Sequence, residues 1–361
     1  MALWLAVYRF GFVIQLSGLS MFQWHAHEML YGYAMAVIAG FLLTAAWNWT
    51  GQKTASGAGL ALIFIFWLLA RILMAAGTGM LVYAAAADMA FMASLIFAVA
   101  RPIIKVRQKR QAMVLLLLVL MAAANLLFYL GVAGNVGNGI HLGIYGGLYL
   151  VLGMVLFMGR RVIPFFTERG VGYPVELKNP RWNDLATSVL YPLFLISEVV
   201  FPQHFVGALL AGGLLFSNSI RVNGWHTLGI WQKPLLLGLF AAFVMINLGF
   251  LLRALMPVTA IPDYLPVHAY AVGGIGMITV SMMARVALGH TGRDVHHAPQ
   301  TVNFILAGMA LAATIRIFFP LTDPANYQLW ITVAGVLWIL SFALFSIIFM
   351  PMLLRPRVDA G

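Results

Sequence analysis

The chain has 361 residues, of which 63% are hydrophobic and only 9% charged. A soluble domain carries about 25% charged residues, so an aqueous globular enzyme is excluded, and so is disorder, which needs low hydrophobicity. The formal net charge of +11 would suggest nucleic acid in a soluble protein; here it reads as loop asymmetry across a bilayer, with no nucleic-acid partner.

Apolar runs separated by Gly, Pro, Asn or charge predict twelve membrane-spanning helices, over 2–19, 26–47, 58–77, 79–100, 113–133, 140–159, 184–201, 204–221, 233–254, 265–288, 301–319 and 326–350. At roughly 20 residues each they use about 240 positions. The expected fold is an all-α polytopic membrane protein, a single integral domain over 1–361. Cysteine is absent. That removes disulfides, cysteine-ligated zinc, iron–sulfur clusters and haem attached through CxxCH.

In chain order, the first span is the shortest and carries Arg9. The second opens on Trp24-His25-Ala26-His27-Glu28, two imidazoles and a carboxylate at a helix start. On a regular helix His25 and Glu28 share a face and His27 points elsewhere. Arg71 lies toward one end of the third span, and Asp88 sits within apolar sequence in the fourth. His141 opens the sixth span, Glu198 lies near the end of the seventh, and His204 opens the eighth. Arg253 follows in the ninth span, His268 opens the tenth, and Arg316 lies in the eleventh.

Charge orients this bundle. Apart from Arg9, Arg71, Arg253 and Arg316, every Lys and Arg falls in a connection after an even-numbered span, at the adjoining span ends, or in the tail. By the positive-inside rule that side is cytoplasmic, with both termini inside. His25, His27, His141, His204 and His268 then fall at the periplasmic end, and Trp24, Trp47, Trp49 and Trp330 sit where an aromatic belt would. His27, His141 and His268 are each followed five positions later by Gly32, Gly146 and Gly273. Thr50-Gly51 and Thr291-Gly292 close the second and tenth spans at matching distances from His27 and His268, about 35 Å of helix rise. Three four-helix repeats, about 1–100, 101–221 and 222–350, explain this; chance in a glycine-rich membrane protein is the other explanation.

Neutral imidazole is the commonest side-chain ligand of haem iron and copper. Ionisable groups inside a membrane usually have partners, and guanidinium pairs with carboxylates. Arg71, Arg253 and Arg316 therefore either hold the propionates of a haem or pair with Asp88, Glu198 or Asp263. Asp88 is either the partner of Arg71 or a proton carrier, and Glu198 fits a proton path at the outer face.

Trp24-His25-Ala26-His27-Glu28-Met29-Leu30-Tyr31-Gly32, Gly40-Phe41-Leu42-Leu43-Thr44-Ala45 with Asn48-Trp49-Thr50-Gly51, Gly159-Arg160-Arg161-Val162-Ile163-Pro164-Phe165-Phe166 and Gly289-His290-Thr291-Gly292-Arg293 resemble the NnrS family over nearly the whole chain. That resemblance implies a bacterial inner-membrane protein containing haem b and copper and linked to nitric oxide metabolism, denitrification and nitrosative stress. The layout is also similar to that of haem–copper oxidases and their nitric oxide reductase relatives, although those carry more histidines on the seventh and tenth helices. On this reading nitric oxide is the substrate, reduced or detoxified with electrons from a separate donor; a non-catalytic haem or copper handler or transporter is the alternative. His27 and His268 are the expected haem ligands, and His25 and His141, with His204, the expected copper ligands. Arg71, Arg253 and Arg316 would hold propionates, while Glu28, Asp88 and Glu198 would support ligands or carry protons.

Overall fold

The computed structural model describes residues 1–11, 19–77 and 79–358. Helices dominate, and among the described residues there is no strand. In chain order they are α1 (Ala2–Phe10), α2 (Met21–Thr50), α3 (Ala58–Ala75), α4 (Leu81–Lys105), α5 (Lys109–Val132), α6 (Gly139–Gly170), α7 (Arg181–Val200), α8 (Phe205–Trp225), α9 (Pro234–Val258), α10 (Tyr264–His290), α11 (Thr301–Thr322) and α12 (Pro324–Leu354). Ten of the described helices are long and apolar enough to cross a bilayer, so the chain is a multi-pass membrane protein.

The two expected spans outside that set differ for separate reasons. The first, 2–19, begins as the short helix α1, and 12–18 lie outside the described residues. The seventh is the 20-residue helix α7, but Asn183, Asp184, Thr187, Ser197 and Glu198 dilute its apolar character. Helix α6 runs for 32 residues through Pro164, well past the twenty or so that a bilayer needs.

Two compact units divide the chain, Leu3–Met154 on one side and Met1–Ala2 with Val155–Gly361 on the other. In the first, α3 packs against α4, and α4 against both α2 and α5. Helix α2 starts cleanly because Ser20 accepts from the Gln23 N–H while the Gln23 side chain accepts from the Ser20 N–H, a capping box. Helix α3 turns Leu60, Phe64, Ile65, Leu69 and Ile72 outward, as a lipid-facing helix must.

In the second unit α9 is the central helix, packed on α8 and α10, while α11 packs along α12. Leu252, Leu265, Ala269, Ala313 and Ile317 knit α9, α10 and α11 into one core. Small residues let the backbones approach, as is usual without a hydrophobic drive between membrane helices: a Cβ on Gly249 would collide with the Tyr270 ring, and one on Gly274 with Ile246.

Helices α2 and α10 share one irregularity. Each changes to π-helical bonding on the residue after its histidine, over Glu28–Ala34 in α2 and Ala269–Gly276 in α10. Inserted π-turns shift side chains around the helix and concentrate at functional sites.

Candidate functional site

In the unit of residues 3–154 a polar group is buried between α2, α3, α4 and α5. His27 and Asp88 are both fully buried. His27 Nδ1 lies 3.1 Å from Glu28 Oε1, and Nε2 lies 2.9 Å from Asn125 Oδ1 and 3.6 Å from Asp88 Oδ2. Arg71 bridges the two carboxylates, with Nη1 at 2.6 Å from Glu28 Oε1 and Nη2 at 2.6 Å from Asp88 Oδ2. Tyr129 and Asn125 donate to the same Asp88 oxygen at 2.9 and 3.1 Å, and the His27 ring stacks on Phe128 at 4.3 Å.

This corrects the helical-wheel expectation for α2. Glu28 bonds to its neighbour His27, and the π-turn begins at Glu28. His25 instead stacks on Trp4 at 4.4 Å. Arg71 reaches in over Gly32, where a Cβ would stand 3.1 Å from Nη1, and the Trp67 indole donates to the Gly32 carbonyl at 2.9 Å. His141 lies against Tyr145, with ring centroids 4.6 Å apart. Trp24, expected in the belt, is buried.

In the unit of residues 155–361, His268 is held at both ring nitrogens. Nδ1 is 2.6 Å from the Tyr264 carbonyl oxygen one turn back, and Arg316 Nη2 is 3.1 Å from Nε2. With Nδ1–H donating to the carbonyl, Nε2 carries the lone pair. Arg316 Nη1 is buried and has no hydrogen-bond partner among the described residues. Its guanidinium lies 5.5 Å from the Tyr264 ring and 5.7 Å from that of Tyr327.

Glu198 and Arg253 form a second buried pair in this unit. Arg253 Nε reaches both Glu198 oxygens at 2.9 Å, and Nη2 is 2.8 Å from Oε1 while donating to the His204 carbonyl at 2.9 Å. Arg253 Nη1 has no partner among the described residues. His204 caps α8, its Nδ1 accepting from the Val206 N–H at 3.3 Å. Asp263, the other carboxylate considered for these arginines, accepts from Gln203 at 3.1 Å.

Several partners were not singled out from sequence. Asn125 is the one polar residue in a long apolar stretch of α5, which is a readable signal; Tyr129 is not. In α7 and α8, Arg221 donates to Asn218, Asp184 and Thr187 at 2.7, 3.1 and 3.1 Å. It is almost wholly buried. Among the described residues no three His, Asp or Glu side chains gather as a metal-holding group.

Comparison with known families gives a match to the model described as NnrS protein over residues 1–357. No curated protein matches the chain.

Proposed function

The chain belongs to the NnrS family, which makes it a nitric-oxide-associated membrane protein, and on that premise we propose that it binds haem b and removes nitric oxide by reduction. The setting of His268 carries this reading. An imidazole whose Nδ1–H is tied to a backbone carbonyl is oriented as a ligating histidine usually is, and its Nε2, which here accepts from Arg316 at 3.1 Å, would face a metal once Arg316 turned to a propionate. Arg316, next to that nitrogen, has a buried N–H to spare, which suits a propionate. His268 and Arg316 thus fit a haem b, which when bound supplies one-electron redox chemistry.

His27 does not fit the same role. Both its nitrogens face oxygen acceptors on Glu28 and Asn125, so neither is turned to an iron. Arg71 and Arg253 are likewise engaged by the protein's own carboxylates. Copper has no three-residue group of His, Asp and Glu among the described residues, and no step is assigned to it or to His25, His141 and His204 as its ligands.

What His27 and its neighbours suit is proton handling. Reduction of two nitric oxide molecules to nitrous oxide and water consumes two electrons and two protons. Glu28 is 20% exposed and Asp88 is fully buried, and Arg71 and His27 join them. A proton taken up at Glu28 can therefore pass inward through the His27 ring, 3.1 Å from Glu28 Oε1 and 3.6 Å from Asp88 Oδ2, to the Asp88 carboxylate. Arg71 offsets the carboxylate charge that such a buried group would otherwise carry. Electrons come from a separate donor, since a chain without cysteine holds no iron–sulfur relay. We place the protein in the bacterial inner membrane with both termini cytoplasmic.

A non-catalytic haem handler is favoured instead by one observation, the lack of a gathered metal-holding group. Full-length purified protein decides between them. The proposal expects iron and haem b in the wild type, and anaerobic nitric oxide loss with an artificial electron donor that disappears in His268→Ala. Equal slow loss in both proteins points to the handler, and a preparation without iron overturns the haem assignment altogether.

A further inference from the structure

Arg285 of α10, like Arg221 and Arg253, is a buried cation that the redox reading leaves unused. It is 9% exposed, and its guanidinium lies 4.0 Å from the centre of the Phe166 ring. Among the described residues no carboxylate pairs with it. The face of one aromatic ring is a weak counterpart for a charge withdrawn from water.

Arg285 lines a small open cleft together with Lys233, Leu235, Gly170 and His296. Its enclosed space is only about 10 Å³, so a bound anion sits largely at the open mouth. Lys233 precedes α9 and spends one N–H on the His296 carbonyl at 3.2 Å, which leaves two of its three donors. Pro234 opens the 22-residue α-helical run of α9 and has no N–H, so Leu235 presents the first backbone donor at the positive end of the helix dipole. The nearby carboxylate does not compete, because the Asp294 oxygens accept from the His296 N–H and the His297 ring at 2.7 and 2.6 Å.

We propose that this cleft binds a phosphate-type anion through Arg285, Lys233 and the first turn of α9. Two cations and a backbone donor from different directions match an oxyanion with several acceptor oxygens better than a single-atom halide. Leu228 and Trp231 stand exposed on the turn just before Lys233. Such residues anchor at the level of lipid headgroups. The phosphate therefore comes from an anionic phospholipid headgroup or from the adjoining water phase, and the site is independent of the haem reading.

The test uses full-length protein stripped of lipid in non-ionic detergent. Its unfolding midpoint is titrated with inorganic phosphate against chloride at constant ionic strength. In parallel, native mass spectrometry reads phosphatidylglycerol retained after passage through vesicles of phosphatidylcholine and phosphatidylglycerol. Saturable stabilisation by phosphate identifies a free anion, and retention of phosphatidylglycerol alone identifies a headgroup; either supports the site. Arg285→Gln and Lys233→Gln should each weaken the effect by about tenfold, while Arg110→Gln, on the exposed α5 start, leaves it unchanged. Absence of both effects in the wild type overturns the proposal. So does a wild-type response in Lys233→Gln, which alone decides if Arg285→Gln fails to fold.

Discussion

Asp88 holds Arg71 at 2.6 Å with its own side chain wholly buried, and this pair fixes how the unit of residues 3–154 responds to mutation. A buried ion pair adds little net stability, but losing one partner strands the other charge at about 3–5 kcal/mol. Arg71→Met should therefore lower the unfolding midpoint in detergent sharply, since it strands Asp88 and Glu28 together. Adding Asp88→Asn to Arg71→Met should recover part of that loss. A double mutant as unstable as the sum of the two singles would show that the pair is not coupled as its geometry requires.

His268 is tied to a backbone carbonyl, and this separates its two neighbours. Tyr264→Phe removes a hydroxyl but leaves the carbonyl that orients the imidazole, so haem content should stay at the wild-type level. His268→Ala should lose haem, and Arg316→Gln should weaken its retention by about tenfold or more. Absorbance of the extracted haem, normalised to protein, reads all three variants. Haem lost in Tyr264→Phe but kept in His268→Ala would invert the assignment.

The spans were legible because composition alone separates lipid-facing helices from connections, and Arg71, Asp88, Glu198 and Arg253 were legible as charges that need partners. Asp88 as a partner of Arg71 was one of two alternatives open in the sequence, but the second partner, Glu28, was not legible there. Arg71 chooses Asp88 and Glu28 through the packing of α3 on α2 and α4, a tertiary fact that no local pattern encodes. The partners of His27 lie on α5, with Asn125 98 positions away in sequence. The π-turns after His27 and His268 were equally hidden, because the shift in hydrogen bonding depends on what the helix packs against. Gly32 and Gly273 share a spacing from their histidines yet admit different neighbours, Arg71 and Met245, while Gly146 meets only Ala124 at 3.6 Å.

Outside the membrane, the connection between α10 and α11 carries a pH-sensitive contact. The His297 ring nitrogen, together with the His296 N–H, holds the Asp294 carboxyl below its ordinary value of 3.8. A depressed carboxylate stabilises the folded loop above its unfolded pKa, and that contribution fades as pH falls through the lower folded value. Carboxyl-carbon NMR should thus find Asp294 titrating below 3.8. In His297→Ala the titration should move up towards that ordinary value. An unchanged titration in the variant would remove His297 as the cause.

Gly207 and Gly212 lie five residues apart on α8 and should answer an added methyl in opposite ways. A Cβ on Gly207 would run into Glu198 Oε1 and Arg253 Nη2, whereas one on Gly212 meets nothing within 4 Å. Ala is favoured over Gly within a helix by about 1 kcal/mol, so Gly212→Ala should be neutral or mildly stabilising. At Gly207 that gain is overwhelmed. The methyl must displace one member of a buried, doubly hydrogen-bonded pair, and overpacking of about 1–3 kcal/mol adds to the loss of charge compensation. Because Arg253 also donates to the His204 carbonyl, its displacement releases the start of α8 as well. Hydrogen exchange at residues 204–208 should rise in Gly207→Ala and stay at the wild-type rate in Gly212→Ala. Equal unfolding midpoints for the two variants would mean that the close approach of α8 to the Glu198–Arg253 pair does not constrain the fold.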